Sequence, residues 1–265
     1  MKTRKRPLWI AFIRLLIVFL VAVLGLVLYL ALNPAALRAV VTLVPGMVEI
    51  PVLGPRPPAP VINAPRGDVP GGYRAFTGRF SGFGFSCGFL MELEDGRVVG
   101  VSAAHATAPL PRAVPAEFDA PDGSRLASLK GQIGRGQTFR QGHLSLDYVL
   151  WAVVDNTAPG LFLQADSRYQ AQPGEGVVLI GWPGDGAGGS IHWPGVVMKV
   201  TPEATWVQLE GSFEPAGYSG CPVVSQYTGR LIGMSVAGAN RHPVLIGLHP
   251  VGSLVEKARA ALAAP

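Results

Sequence analysis

Short apolar runs separated by turn residues fill the chain from Gly71 onward, and this pattern constrains the fold more than any other feature. Typical runs are YVLWAVV, GVVLIGW and PVLIGLHPV, and turn residues such as Glu94-Asp95-Gly96 stand between runs. Runs of this length and composition predict β-strands joined by hairpins. Because no long amphipathic segment interrupts them before the C-terminus, the pattern favours an antiparallel sandwich or pair of barrels over a βαβ fold.

The C-terminus is the exception to the strand pattern. Ser253 and Glu256 have the spacing of a helix capping box, and LVEKARAAL continues with good helix formers. The sequence therefore predicts an all-β domain closed by one helix over residues 253–262.

The formal net charge of +5 is concentrated at the N-terminus. Five basic residues within the first fourteen positions supply it: Lys2, Arg4, Lys5, Arg6 and Arg14. The rest of the chain is neutral overall and has no basic stripe that phosphates could follow. We therefore expect no nucleic-acid partner.

An uncharged apolar run follows the basic cluster, from Leu15 to Leu37. It is longer than the about 20 residues that a helix needs to cross the hydrocarbon core of a bilayer. The positive-inside rule then predicts a cytoplasmic tail and one transmembrane anchor within residues 1–44, with the remainder periplasmic or extracellular. The alternative is a cleaved signal peptide, whose apolar region would normally span only about 7–15 residues.

Residues 45–70 are rich in proline and lack periodicity. Each proline removes a backbone donor, so a sheet is hard to build from such a segment. The composition predicts a semi-rigid, extended linker between the lipid anchor and a domain over residues 71–265.

Three segments carry residues suited to nucleophilic catalysis. In GYSGCPVV, residues 217–224, Ser219 lies among glycines that allow a tight turn. A serine hydroxyl is a poor nucleophile unless it is exposed beside a base, and on such a turn the N–H groups of Gly217 and Ser219 would converge on a developing oxyanion. The alternative is an ordinary glycine-rich hairpin turn.

The other two segments supply a base and an acid. VSAAHA, residues 101–106, ends an apolar run in two small residues and His105, which leaves room for the imidazole to reach another segment. LDYVLWAV opens an apolar strand with Asp147, and a carboxylate buried there needs a partner such as an imidazole N–H. Alone, each has a simpler interpretation: a hydrogen-bonded histidine at a strand end, and a capping aspartate.

Together these motifs resemble those of the trypsin-like (chymotrypsin-fold) serine peptidases. VSAAHA is similar to the family's TAAHC, LDYVLWAV to its DIALLKL, and GYSGCPVV to its GDSGGPVV. LIGMSVAG, residues 231–238, resembles the strand LVGIVSWG that pairs with substrate. The resemblance covers roughly residues 75–262.

The resemblance implies two six-stranded Greek-key barrels, over about residues 72–158 and 159–252, with the site in the cleft between them. It implies that Ser219 is the nucleophile, His105 the base and Asp147 the residue that orients the base. Peptide bonds would be hydrolysed through an acyl-enzyme on the serine.

The resemblance also implies further site residues. The backbone N–H groups of Gly217 and Ser219 would form the oxyanion hole, and three consecutive residues would bind the substrate backbone: Val236, Ala237 and Gly238. Phe213 falls at the base of the primary pocket, which suggests no preference for Lys or Arg, although Glu214 beside it could reverse that.

Two positions depart from the family pattern. Tyr218 stands where the digestive enzymes carry an aspartate that pairs with a newly cut N-terminus, so we expect no activation by N-terminal cleavage. In this respect the chain is more like the HtrA-type peptidases, although we expect no PDZ domain after the helix. Ala106 replaces a family cysteine, which removes the usual partner of Cys87.

Cys87 and Cys221 would pass close to each other in the family's fold, behind the nucleophile. We expect a disulfide between them in an oxidising compartment, and two buried thiols are the alternative. No C-x₂-C or H-x₃-H spacing is present, so we expect no metal and no cofactor. Four other histidines have no motif around them and are predicted to be surface or loop residues: His143, His192, His242 and His249.

The sequence thus predicts a membrane-anchored serine endopeptidase that acts on protein or peptide substrates outside the cytoplasm. The alternative is a catalytically inactive trypsin-like fold that serves as a membrane-tethered binding module, because Tyr218 and Cys221 could each distort the oxyanion loop. An esterase using the same three residues is a third hypothesis.

Overall fold

The computed structural model describes residues 19–21, 23–25, 51–70, 76–80, 83–107, 115–120, 124–138, 143–156, 161–181, 192–211, 215, 217–239 and 243–264. Within these ranges the chain forms thirteen strands and a C-terminal helix. The strands are β1 (Phe76–Phe80), β2 (Phe83–Glu92), β3 (Val98–Ser102), β4 (Ala116–Asp119), β5 (Arg125–Arg135), β6 (Val149–Asn156), β7 (Phe162–Gln164), β8 (Gly176–Ile180), β9 (His192–Val200), β10 (Thr205–Leu209), β11 (Pro222–Ser225), β12 (Leu231–Ala239) and β13 (Leu245–Pro250); the helix is α1 (Val251–Ala263).

The first sheet has the strand order β1-β4-β5-β6-β3-β2-β7, and β1 also pairs with β2. Its first six strands therefore pair in a ring. The seventh, β7, is parallel to β2 and lies beyond the segment assigned to the first barrel from the sequence. β7 can pair with β2 because the pairing of β1 with β2 ends at Gly88, so β1 does not occupy the edge of Leu90–Glu92.

The second sheet is a closed six-stranded barrel, in the order β10-β13-β12-β11-β8-β9, and every neighbouring pair is antiparallel. Buried aliphatic side chains of alternate strand positions fill it, among them Val177, Leu179 and Ile246. The mostly-β prediction with two six-stranded units and one terminal helix is confirmed for the described residues.

Helix α1 begins at Val251, two residues before the predicted start. Its N-terminal residues Val251 and Leu254 are fully buried, so apolar packing rather than a capping box sets the start. Ser253 lies within the first turn, where its hydroxyl accepts a hydrogen bond of 2.9 Å from Lys257 Nζ.

The proline-rich segment over residues 51–70 is extended, as its composition predicts, and it lies against the domain. The Gly67 N–H donates to the Tyr227 carbonyl at 2.9 Å. Leu53 and Val69 pack against the core of buried apolar residues. The described part of the predicted linker is thus in contact with the domain that it precedes.

Most of the predicted anchor, Leu15–Leu37, lies outside the described residues, of which 19–21 and 23–25 are helical. In the part of the chain that the structure describes, no helix combines the length and the hydropathy needed to span a membrane.

Candidate active site

His105, Asp147 and Ser219 come together from three distant segments. The distance from His105 Nδ1 to Asp147 Oδ2 is 2.6 Å, and that from His105 Nε2 to Ser219 Oγ is 2.9 Å. The backbone N–H of His105 also donates to Asp147 Oδ1 at 3.1 Å. The imidazole therefore lies between a carboxylate and a hydroxyl, with each ring nitrogen facing one of them.

The local folds on the first sheet explain this placement. His105 opens a single 3₁₀ turn (His105–Thr107) directly after β3. Asp147 follows another such turn (Leu144–Leu146) and immediately precedes β6, which pairs with β3. The Asp147 side chain is fully buried and the His105 side chain is 21% exposed, so the carboxylate is shielded from water while the imidazole opens to the cleft.

The turn that carries Ser219 depends on the glycines around it. Gly217 and Gly220 have φ values of +90° and +88°, a region that residues with a side chain rarely adopt. A Cβ at Gly220 would also overlap the Cys87 carbonyl oxygen of β2 and lie 2.8 Å from Ser102 Oγ. The turn that carries Ser219 on the second barrel thus lies directly against the first sheet, where only glycine fits.

Side chains of β2 hold the carbonyl groups of this turn. Ser86 Oγ donates to the Ser219 carbonyl, and Cys87 Sγ donates to the Gly217 carbonyl at 3.5 Å. The Tyr218 carbonyl accepts from the Cys221 N–H at 3.1 Å. Because N–H and C=O of a trans peptide point in opposite directions, the Ser219 N–H faces away from Cys221.

This orientation is compatible with the predicted role of the Ser219 N–H as one of the two oxyanion donors. The Gly217 N–H belongs to a peptide that includes residue 216, outside the described residues. Phe213 and Glu214 also lie outside them.

The predicted disulfide is not formed, and this expectation is corrected. Cys87 and Cys221 are both buried thiols in the core of the second barrel. The reason lies in the direction of the Cys87 side chain, whose sulfur faces the Gly217 carbonyl. The alternative reading of the sequence, two buried thiols, is what the structure contains.

The predicted substrate-binding residues lie at the end of β12. The Val236 side chain is buried, that of Ala237 is half-buried, and Gly238 is exposed. The pairing of β11 with β12 ends at Met234, and Ser235 bonds to Gly220 and Cys221. Within the described residues, the same edge of β12 has no strand partner beyond Ser235.

Two residues near the site were not identified by the sequence analysis, Arg135 and His249. Arg135 of β5 donates from its guanidinium to the carbonyls of Ala104 and Thr107, at 3.3 and 3.2 Å. These carbonyls flank His105, so the cation holds the turn on which the imidazole stands. The prediction that His249 is a surface or loop residue was wrong, because its side chain is fully buried in β13.

The signal for His249 was its place in the apolar run IGLHPV, where strand alternation continues into the core. Its Nδ1 lies 3.2 Å from the Asp147 carbonyl oxygen. Burial lowers the pKa of His249 from 6.5 to about 3, so the imidazole is neutral. Among the described residues, no group of three or more His, Cys, Asp or Glu side chains has the arrangement of a metal site.

No protein-family model matches the sequence, and no curated protein matches it either. Solved structures do match its fold. Kallikrein-related peptidase 10 is 18% identical with a TM-score of 0.51, over 71% of this chain and 94% of that chain. The serine endoprotease from Yersinia pestis is 14% identical with a TM-score of 0.51, over 71% of this chain and 61% of that chain. The chain therefore has the fold of the trypsin-like serine proteases, as its motifs predict.

Proposed function

We propose that the protein is a serine endopeptidase that hydrolyses peptide bonds through an acyl-enzyme on Ser219. The observation that carries the proposal is the line of three side chains, in which His105 lies 2.6 Å from Asp147 and 2.9 Å from Ser219. A serine hydroxyl, an imidazole and a buried carboxylate in this order generate a nucleophile from an otherwise unreactive alcohol. The names of the two solved structures above are consistent with this activity.

In the first half-reaction Ser219 Oγ attacks the carbonyl carbon of the scissile peptide, and its proton passes to His105 Nε2. Asp147 Oδ2 accepts the Nδ1–H bond, which keeps Nε2 free to take that proton and stabilises the imidazolium that results. His105 then gives the proton to the leaving amine as the C–N bond breaks, and the acyl group remains on the serine.

In the second half-reaction a water takes the place of the amine. His105 removes its proton while the oxygen attacks the acyl carbon, and the Ser219 Oγ–C bond breaks as the serine regains a proton from the imidazole. In both steps the negative charge on the carbonyl oxygen needs donors aimed at it. The N–H groups of Ser219 and Gly217 are proposed for this role, and one such donor is worth about 10²–10³ in kcat.

Within the described residues, the edge of β12 beyond Ser235 has no strand partner, and this supports a peptide substrate. Main-chain groups beyond Ser235 can pair with an extended chain as an added strand, with Gly238 exposed at the surface. Such pairing places a peptide bond of the substrate beside Ser219, because Ser235 is hydrogen-bonded to Gly220 of the same turn. The proposal of a protein or peptide substrate rests on this edge.

The activity is tested by labelling of the full chain with a fluorophosphonate probe and by cleavage of a peptide library. Wild type should form an Oγ–P bond at Ser219 as fluoride leaves, and it should cleave peptides. Ser219→Ala should lose both, with a fall in kcat of about 10⁴-fold or more. The matched control is Ser167→Ala, since Ser167 is an exposed serine on the β7–β8 loop and should leave both readouts unchanged.

Absence of Ser219-dependent labelling in folded wild-type protein would contradict the peptidase proposal. It would favour the second candidate, a binding module that retained the fold. Cleavage of esters with no cleavage of peptides would favour an esterase.

We further propose that residues 15–37 anchor the enzyme in a membrane, with the catalytic domain periplasmic or extracellular. The uncharged length of this run and the basic cluster before it support the proposal. N-terminal sequencing of the mature protein tests it, and a start beyond Ala31 would contradict it.

A further inference from the structure

His249 is a second histidine in contact with the main chain of Asp147. It lies on β13 of the second barrel, its side chain is fully buried, and its Nδ1 is 3.2 Å from the Asp147 carbonyl oxygen. A carbonyl only accepts hydrogen bonds, so Nδ1 carries the proton and donates it. The other nitrogen, Nε2, has no hydrogen-bond partner among the described residues.

Both backbone polar groups of Asp147 are thereby held. Its N–H donates to the Leu144 carbonyl at 3.1 Å, within the 3₁₀ turn of the first sheet. Its C=O accepts from His249 of the second barrel. With both groups fixed, the main chain at residue 147 has little freedom to rotate, and the Cα–Cβ bond that carries the carboxylate is held in position.

The same region carries further contacts between the two barrels. The Ser145 N–H donates to the Glu203 carbonyl at 2.8 Å. A Cβ at Gly247 would overlap Leu144, so this leucine occupies a notch in β13 two residues before His249. The turn that precedes Asp147 therefore packs against the second barrel, and the hydrogen bond from His249 follows at the C-terminal end of that turn.

This packing matters because the proposed reacting groups belong to two units, the first sheet and the second barrel. Asp147 and His105 are on the first sheet, whereas Ser219 is on the second barrel. The cleft-side link between them is the 2.9 Å contact of His105 Nε2 with Ser219 Oγ. The bond from His249 is a second link, on the far side of Asp147, and it sets the position of the carboxylate relative to the barrel that carries the nucleophile.

We propose that His249 is a positioning residue of the active site: its Nδ1–H fixes the main chain of Asp147 against the second barrel and so aligns the Asp147–His105 pair with Ser219. The inference rests on the proposed peptidase function. The surroundings of His249 suit a neutral donor. The Tyr148 ring meets the imidazole edge-on, with 5.7 Å between the ring centroids, and Lys257 Nζ of α1 lies 5.3 Å from the centroid of the Tyr148 ring.

Two substitutions separate the donor from the packing. In His249→Asn, the side-chain amide nitrogen is the same number of bonds from the main chain as Nδ1, so the hydrogen bond can persist. In His249→Leu, an apolar group fills most of the space and the donor is lost. Each variant is compared with wild type in the full chain for Tm, for the rate of fluorophosphonate labelling, and for kcat and KM on the best library peptide.

We expect His249→Leu to lower kcat about 10–100-fold with KM within about twofold, because a displacement of about 1 Å at reacting groups costs up to about 10²-fold. His249→Asn should keep kcat within about threefold of wild type. A merely structural role would lower the Tm of both variants without this split between kcat and KM and without rescue by asparagine.

An unchanged kcat in folded His249→Leu, or an equal loss in both variants, would overturn the inference while leaving the peptidase function intact. If His249→Leu does not fold, His249→Gln replaces it, because its amide lies one bond farther out; equal kcat in the Asn and Gln variants would again overturn the inference. Absence of labelling in folded wild type, in contrast, contradicts the proposed function itself.

Discussion

Tyr218, the residue before Ser219, packs its ring against the main chain of Gly181, directly after β8. A Cβ at Gly181 would overlap Cε1 of that ring and lie 3.1 Å from Cδ1. The ring also packs against the apolar core of the second barrel. Packing in this notch therefore holds the turn that carries Ser219 in place.

We expect Gly181→Ala to lower the rate of Ser219 labelling about 10²–10³-fold, the effect of losing one oxyanion donor, because the displaced ring moves the Ser219 N–H. Gly181 has no positive φ, so the methyl group adds no backbone strain of its own. The measurement is the labelling rate of folded protein, with wild type and variant each assayed at the same interval below its own Tm.

Tyr218→Phe supplies the matched background, because it keeps the ring, and Gly181→Ala should cost as much there as in wild type. In a Tyr218→Ala background, Gly181→Ala should cost little more, because the ring that it meets is absent. Additive losses in the double variant would mean that Gly181 acts independently of the ring.

The proline-rich segment, residues 51–70, was predicted to be a spacer, but it packs against the domain. Its Pro58 carbonyl lies so close to Gly174 that a Cβ there would overlap it, and Asp68 makes a similar approach to Gly229. Gly229 lies in the turn between β11 and β12, and Thr228 of that turn donates to the buried Asp166 at 2.7 Å. The segment thus binds a turn that a hydrogen bond to the β7–β8 loop already holds in place.

Gly174→Ala should destabilise the full chain by about 1–3 kcal/mol more than Gly96→Ala, through overlap with Pro58 or displacement of the segment. Both glycines have positive φ values, +85° and +78°, so each variant bears a similar backbone strain of about 1–2 kcal/mol. A Cβ at Gly96 meets nothing within 4 Å, which makes it the matched control. Urea unfolding measures the difference.

Limited proteolysis supplies a second readout for the same segment. Cleavage between residues 51 and 70 should be faster in Gly174→Ala than in Gly96→Ala, since only the first variant loosens the segment from the domain. Equal losses of stability and equal cleavage rates would show that the contact contributes nothing to the fold.

At the scale of the whole molecule, helix α1 contacts both the first sheet and the second barrel. It continues directly from β13 of the second barrel, and its Arg259 donates to Glu94 in the β2–β3 turn of the first sheet at 2.8 Å. Lys257 of the same helix lies over the Tyr148 ring. His249, two residues before the helix, bonds to the Asp147 carbonyl of the first sheet. Protonation of this buried histidine would therefore change the free energy of unfolding.

That coupling predicts how stability depends on pH. Burial lowers the pKa of His249 to about 3 in the folded protein, against 6.5 in the unfolded chain, and the Lys257 charge acts in the same direction. The group's contribution is complete above about pH 6.5 and is lost as the pH falls, because the unfolded chain then binds a proton that the folded protein rejects. The slope is up to about 1.4 kcal/mol per pH unit.

The measurement is the free energy of unfolding between pH 7.5 and 5, for wild type and His249→Asn. Asparagine does not titrate, so the stability of the variant should fall less steeply over this range. Parallel curves for the two proteins would contradict the prediction.

Local signals in the sequence were sufficient for the mostly-β character, for the presence of the terminal helix, and for the selection of His105, Asp147 and Ser219 as candidate site residues. Strand alternation is a short-range property, and the glycines around Ser219 are required by the φ values of a single turn. The pattern around His105 and Asp147 likewise depends on adjacent residues, and the structure brings Asp147 to His105 and His105 to Ser219.

Tertiary structure alone decided the burial of His249, the docking of the proline-rich segment and the direction of the Cys87 sulfur. Each depends on partners far away in the chain: His249 and Asp147 are 102 residues apart, and Cys87 and Gly217 are 130 apart. A residue's own neighbours specify its local conformation, whereas its burial and its hydrogen-bond partner depend on how two barrels pack, which no local pattern encodes.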